Sequence, residues 1–159
     1  MDIWLDELKS ISIDTINLLT SLELGKNPCI IFNIDNTPIH EDGQLLTDIV
    51  NIYNYALQLD IKIFIITNRN GSSQEIIDTT LLELKNNNLN SYEAIYFKKY
   101  ENRNDSSFKI NSRKNIISKG YNIILCIGSN DTDIYGEFTG IPVKIPIYIK
   151  NNLQVIKEE

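Results

Sequence analysis

Cysteine, histidine, tryptophan, methionine and positive charge are all scarce in this chain. Its 159 residues include 2 Cys, 1 His, 1 Trp and 1 Met, and 15 Lys and Arg stand against 21 Asp and Glu. Cys29 and Cys126 lie far apart, each inside an apolar run, which reads as two reduced interior thiols and excludes a disulfide framework or a thiolate metal site. The formal charge of −6 and isoelectric point near 4.8 argue against a nucleic-acid backbone or an anionic membrane as main partner, since both require clustered Lys and Arg. Basic residues concentrate only at Lys98-Lys99 and between Lys109 and Lys119. No apolar run approaches membrane-spanning length, and Met1 to Glu7 lacks the cationic start and unbroken apolar stretch of a secretory signal. A soluble, cytoplasmic protein is expected. The abundance of Ile, Asn and Lys accords with an AT-rich coding sequence, which accounts for many of the asparagines without a functional cause.

A chain of this length buries one respectable core and is short for two ordinary domains, so residues 1–159 are expected to form a single domain. Ile3 to Leu24 carries Leu5, Leu8, Ile16, Leu19 and Leu22 at helical spacing, with Gly25 as its stop, which gives an N-terminal helix within residues 1–25. Cys29 to Ile34 is a continuous apolar run, the signature of a strand covered on both faces. Thr47 to Leu59 reads as helix and Lys62 to Thr67 as strand. A helix capped by Ser72 or Ser73 runs to Asn86-Asn87-Asn88. Ala94 to Phe97 is a short strand, Lys99 to Ser106 a polar loop, Ser107 to Lys119 a helix stopped by Gly120, and Tyr121 to Gly128 a fourth strand. A final strand is expected within Pro142 to Ile149. Strands separated by helices of ten or more residues predict right-handed βαβ units, hence a Rossmann-like three-layer α/β/α fold around a central parallel sheet.

In such sheets ligands sit beyond the carboxyl ends of the strands. Three chemically loaded tips fall there: Asn33-Ile34-Asp35, Thr67-Asn68-Arg69, and Gly128-Ser129-Asn130-Asp131-Thr132-Asp133. Lys109, near the start of the preceding helix, can reach the same edge.

Four stretches together resemble the haloacid dehalogenase (HAD) superfamily, most closely its acid-phosphatase branch of plant acid phosphatases and vegetative storage proteins. They are Phe32-Asn33-Ile34-Asp35-Asn36-Thr37, Ile65-Ile66-Thr67-Asn68-Arg69, Phe108-Lys109-Ile110-Asn111-Ser112-Arg113, and Gly128 to Glu137 with its continuation through Val143-Lys144-Ile145-Pro146. The likeness spans residues 28–149. It implies a nucleophilic Asp at the position of Asn33, an acid/base at Asp35, a phosphoryl-binding hydroxyl at Thr67, with Asn68 beside it, and a charge-balancing cation at Lys109. It also implies Mg²⁺, bound through the residue at 33, the carbonyl of Asp35 and acidic residues at the positions of Ser129 and Asp133. Hard Mg²⁺ takes oxygen ligands that usually include one or two carboxylates.

This sequence departs from that pattern twice. Asn33 has no carboxylate to attack phosphorus, and Ser129 removes an acidic metal ligand. Asp131 can replace it only if the loop shifts. Magnesium binding is therefore expected to be weakened or lost. The less acidic site still suits a phosphorylated small molecule or macromolecule, because Lys109 and the strand-tip amides remain. The stretch from Asn33 to Thr67 has room for one loop and one helix, so little or no cap domain is expected. His40-Glu41-Asp42-Gly43 within it is placed to overhang the site.

Plainer readings stand beside these. Asn33 and Asp35 serve equally as turn residues, and Thr67 as an ordinary strand residue. Lys109 beside Arg113 and Lys114 reads as a solvated helix face, and Asp131 and Asp133 as an N-cap and first-turn acid. His40 is a loop residue, Trp4 a packing residue, and the first helix either a docked element or a partner-binding face. Three functions stay open: an impaired phosphatase relative that binds a phosphorylated ligand, an active Mg²⁺-dependent phosphomonoesterase, and a structural or storage-like protein with a vestigial site.

Overall fold

The computed structural model describes residues 2–101 and 104–148. It contains a five-stranded sheet in the order β3-β2-β1-β4-β5, with every neighbouring pair parallel. The elements run α1 (Asp2–Ser21), β1 (Pro28–Phe32), α2 (Thr47–Gln58), β2 (Lys62–Asn70), α3 (Gln74–Asn86), β3 (Ala94–Lys98), α4 (Asp105–Ser118), β4 (Asn122–Gly128), α5 (Asp131–Ile134) and β5 (Ile141–Lys144). This is the expected Rossmann-like α/β architecture. No helix among the described residues is long and apolar enough to cross a membrane.

The strand order follows from the apolar runs. β1 and β4 are buried on both sides, so their side chains alternate between two cores. Ile30 and Phe32 of β1 face Leu8, Leu19, Ile49, Ile52 and Leu84 of α1, α2 and α3. Cys29 and Ile31 face Phe108, Ile116 and Ile134 of α4 and α5. The chain thus winds outward from β1 to β3 with helices on one face. It then crosses back to β4 with α4 on the other, which puts the reversal of strand order between β1 and β4. That switch point is where parallel sheets open a crevice at their carboxyl ends.

Several boundaries differ from expectation. α1 stops at Ser21, short of Leu24: the Thr20 and Ser21 hydroxyls hydrogen-bond to the carbonyls of Ile16 and Leu18, and the chain turns through Gly25 at φ +68°. β1 ends at Phe32, although the Asn33 N–H still donates to Ile127 O at 3.0 Å. β2 continues past Thr67 to Asn70 through a register shift. β5 ends at Lys144, two residues before Pro146, which has no N–H to offer a ladder. Ile149 of the expected final strand lies outside the described residues.

Candidate functional site

The tips of β1 and β4 meet at the backbone carbonyl of Asp35. Three side chains converge on it, each at 3.3 Å: the Asn33 amide, the Thr37 hydroxyl and the Ser129 hydroxyl. Asn33, Thr37 and Ser129 are all buried. A buried carbonyl left without partners is costly, so this cluster fixes the loop after β1. Asn36 holds φ +54° in the same turn, a conformation that asparagine tolerates better than most residues.

Beneath this cluster lies a buried ion pair. Lys109 Nζ stands 2.6 Å from Asp133 Oδ1, with the two side chains 1% and 4% exposed, and donates to Thr132 Oγ1 at 2.8 Å. The second oxygen of Asp133 accepts the Asn130 N–H at 3.1 Å. Gly128 makes this approach of α5 to the strand feasible: a Cβ there would meet the Asp133 Cβ at 2.4 Å, so no larger residue fits. Asn33, Lys109, Arg113 and Asp133 line one crevice with Ile31 and Ile66, and it is too narrow for a water molecule.

Arg113 joins this crevice, although the sequence reading gives it no role beyond its place in the Phe108-to-Arg113 stretch. Its side chain is buried and its guanidinium donates to the carbonyls of Glu137 at 2.9 Å, Thr132 at 3.2 Å and Tyr135 at 3.5 Å. Burial pushes its pKa below the ordinary value. It holds the segment that carries Asp133, so it positions the ion pair. The solvated-face reading of Lys109 is overturned with it, because both cations point inward from α4. Their spacing of four residues was the available signal, since it places them on one helix face.

The carboxylate of Asp35 points elsewhere. Arg69 grips it with two hydrogen bonds, Nε to Oδ2 at 3.2 Å and Nη2 to Oδ1 at 2.8 Å. The same guanidinium reaches Glu83 at 2.8 Å and the Thr80 hydroxyl at 3.1 Å on α3. Burial works against its charge, yet the hydrogen bonds to Asp35 and Glu83 leave its pKa above the ordinary value. The register of β2 against β3 shifts between Thr67 and Asn70, a break in the ladder at the strand end that bears Arg69. No role was assigned to Arg69 from sequence, although it closes the Thr67-Asn68-Arg69 tip.

The remaining candidates divide. Thr67 is fully buried at the end of β2, and its hydroxyl accepts the Arg69 N–H at 3.1 Å. Asn68 donates to Asp105 at 3.3 Å, and Asp105 is also paired with Lys98. Asp131 is exposed and paired with Lys144, away from the Asp35 carbonyl cluster. The His40 loop packs against Trp4 of α1, with ring centroids 5.6 Å apart.

Mg²⁺ is the cofactor that the sequence resemblance implies. The oxygens that would face it are the Asn33 amide, the Asp35 carbonyl, the Ser129 hydroxyl and the Asp133 carboxylate. Only the last is charged, and both its oxygens are engaged by Lys109 and Asn130. Among the described residues no cluster of three or more His, Cys, Asp or Glu is arranged for a metal ion. The one carboxylate in this donor set is already engaged by Lys109 and the Asn130 N–H, so the set fits Mg²⁺ poorly.

Residues 40–152 match the family model of the HAD superfamily, subfamily IIIB (Acid phosphatase). The match begins after Asn33 and Asp35, so it includes Thr67, Lys109, Ser129 and Asp133 and leaves out the first tip. Among solved structures, the class C acid phosphatase from Bacillus anthracis is similar with a TM-score of 0.61 and 16% identity, over 92% of this chain and 83% of that one. The tungstate-bound form of that enzyme gives a TM-score of 0.61 and 16% identity over 89% and 79%. At this identity the likeness is one of fold. No curated protein matches the chain.

Proposed function

This chain belongs to the HAD superfamily, subfamily IIIB, of acid phosphatases, and from that premise we propose that it binds a phosphate monoester without Mg²⁺-dependent turnover. The family generally uses Mg²⁺. The observation that carries the reading is the Asp35 carbonyl, which accepts hydrogen bonds from Asn33 and Ser129 where the family pattern would place a metal ion between carboxylates. Asparagine and serine donate, whereas aspartates only accept. The two substitutions therefore satisfy by hydrogen bonding the carbonyl that a cation would otherwise polarise.

Charge bookkeeping supports retention of the anion. Replacing two carboxylates with neutral groups removes two negative charges, and losing one Mg²⁺ removes two positive ones. The field met by an incoming phosphate is then unchanged. Lys109 is paired with Asp133 and Arg69 with Asp35 and Glu83, Arg113 donates to backbone carbonyls, and the ligand would add hydrogen bonds from strand-tip amides. Turnover fails on two counts. Asn33 supplies no nucleophilic carboxylate, and both oxygens of the Asp35 carboxylate are engaged by Arg69, which occupies the acid/base expected there. With only one loop and α2 between the first two tips, the phosphate of a small molecule or a macromolecule would dock at the strand tips, at the mouth of the narrow Asn33–Lys109–Asp133 crevice.

The test combines phosphate release from an aryl phosphate with thermal unfolding in orthophosphate, each with and without Mg²⁺. Orthophosphate raises the melting temperature, by about 2.7 kcal/mol of stability at a hundredfold excess over its dissociation constant. Mg²⁺ adds nothing, and no phosphate is released. Mg²⁺-dependent release would instead make the protein an active phosphomonoesterase. Absence of protection would leave a vestigial site in a structural or storage-like protein.

A further inference from the structure

A second cavity, of about 540 Å³, lies between the start of α1 and the loop after β1, and shares no lining residue with the Asn33–Lys109–Asp133 crevice. Its volume falls within the range of small-molecule sites. We propose that it binds a small organic cation, an ammonium group carried on an aromatic or aliphatic body. The proposal does not rest on the phosphate reading above.

The wall is mostly apolar and contains two aromatic rings. Trp4 and Tyr148 lie 5.3 Å apart with a tilt of 35°, and the Trp4 indole N–H donates to Pro146 O at 2.7 Å, which fixes the ring. An apolar slot of this kind takes the body of a ligand. Charge selects its head: Glu41, Asp42 and Asp48 line the same cavity, and no Lys or Arg is among its described lining residues. Asp48 sits in the first turn of α2, while Glu41 and Asp42 are exposed at the rim. An anion is repelled by this lining, whereas an ammonium gains from the carboxylates and from the faces of electron-rich rings.

His40 adds a polar demand that the protein leaves unmet. Its Nδ1 accepts the Asp42 N–H at 3.4 Å and stands 3.0 Å from Asp42 Oδ1, which holds the ring in the loop. Its Nε2 is buried without a hydrogen-bond partner among the described residues. His40 lines the cavity, so the polar head of a ligand is placed to meet that demand.

Trp4 is the sole tryptophan, so its emission reports on this cavity alone. The full chain is titrated with 2-phenylethylammonium and, separately, with neutral 2-phenylethanol at the same ionic strength. The ammonium gives a saturable change in emission, and the alcohol binds at least about tenfold more weakly. The double substitution Glu41→Gln, Asp48→Asn weakens ammonium binding about tenfold and lowers the unfolding midpoint only slightly, because Glu41 is exposed and Asp48, half-buried, contributes to the fold as a single first-turn acid of α2. Trp4→Leu, followed by ligand-observed NMR, abolishes binding. Equal affinity for the alcohol and the ammonium, or no saturable change for the ammonium, overturns the proposal.

Discussion

Two cation–carboxylate pairs flank Asn33, and they differ in almost everything except charge. Lys109 and Asp133 are 1% and 4% exposed and each is hydrogen-bonded again, to Thr132 and Asn130. Arg69 and Asp35 are 20% and 50% exposed, and Arg69 also serves Glu83. The buried pair lies between α4, α5 and the β4 tip and is part of the scaffold. The outer pair sits at the mouth, where water competes with it, and it can open without unfolding the sheet. The inner half of the constellation is therefore fixed by packing, and the outer half is exposed to solvent.

The largest expected effect comes from breaking the inner pair. Lys109→Met leaves Asp133 buried without its cation and lowers stability by roughly 3–5 kcal/mol, whereas a double substitution with Asp133→Leu recovers part of that loss. Denaturant unfolding of both variants checks this. Arg69→Met, in contrast, costs about 1 kcal/mol, because its partners are solvent-screened, and it releases the Asp35 carboxylate. An equal loss from Arg69→Met and Lys109→Met in the same unfolding experiment erases the distinction between the pairs. Asp131→Asn breaks only the exposed contact with Lys144 and shifts stability by less than about 0.5 kcal/mol.

The smallest effect at neutral pH belongs to the buried thiols beneath the site. Burial, reinforced by their mutual repulsion when charged, pushes Cys29 up to about 12 from 9.0, and burial pushes Cys126 up to about 11. Both pKa values are raised in the folded state, so this contribution is fully present below pH 9. It is lost as pH rises from about 9 toward 12, where the unfolded chain ionises first. Urea midpoints that fall across this window, with both thiols unreactive to an aromatic disulfide reagent at pH 8 until unfolding, are the expected record.

Much of this was legible in the residues. The five strands and the helices between them follow from apolar runs and helical spacing, because a parallel sheet buries both faces and writes that burial into contiguous Ile, Phe and Val. The tips were legible because a switch point needs polar residues at strand ends, and Asn33, Lys109 and Asp133 do line one crevice. What was missed lay in α4 and β2. The inward face of α4 is Phe108, Lys109, Ser112, Arg113 and Ile116, a helical stripe only when two cations count as interior residues. Hydrophobic periodicity cannot show that. Arg69 escaped notice because it sits at the break in the ladder after Thr67, a backbone feature with no residue signature here. The hydrogen bond from Ser129 to the Asp35 carbonyl joins residues 94 positions apart, so only the folded chain reveals it.

A calorimetric Mg²⁺ titration of this protein beside the double substitution Asn33→Asp, Ser129→Asp decides whether Asn33 and Ser129 replace a metal ion. If Asn33 and Ser129 stand in for the metal by donating to the Asp35 carbonyl, this protein shows no saturable Mg²⁺ binding and the double substitution gains it. Saturable binding of equal strength by both proteins would contradict that account, because the carbonyl would then hold its cation without either carboxylate.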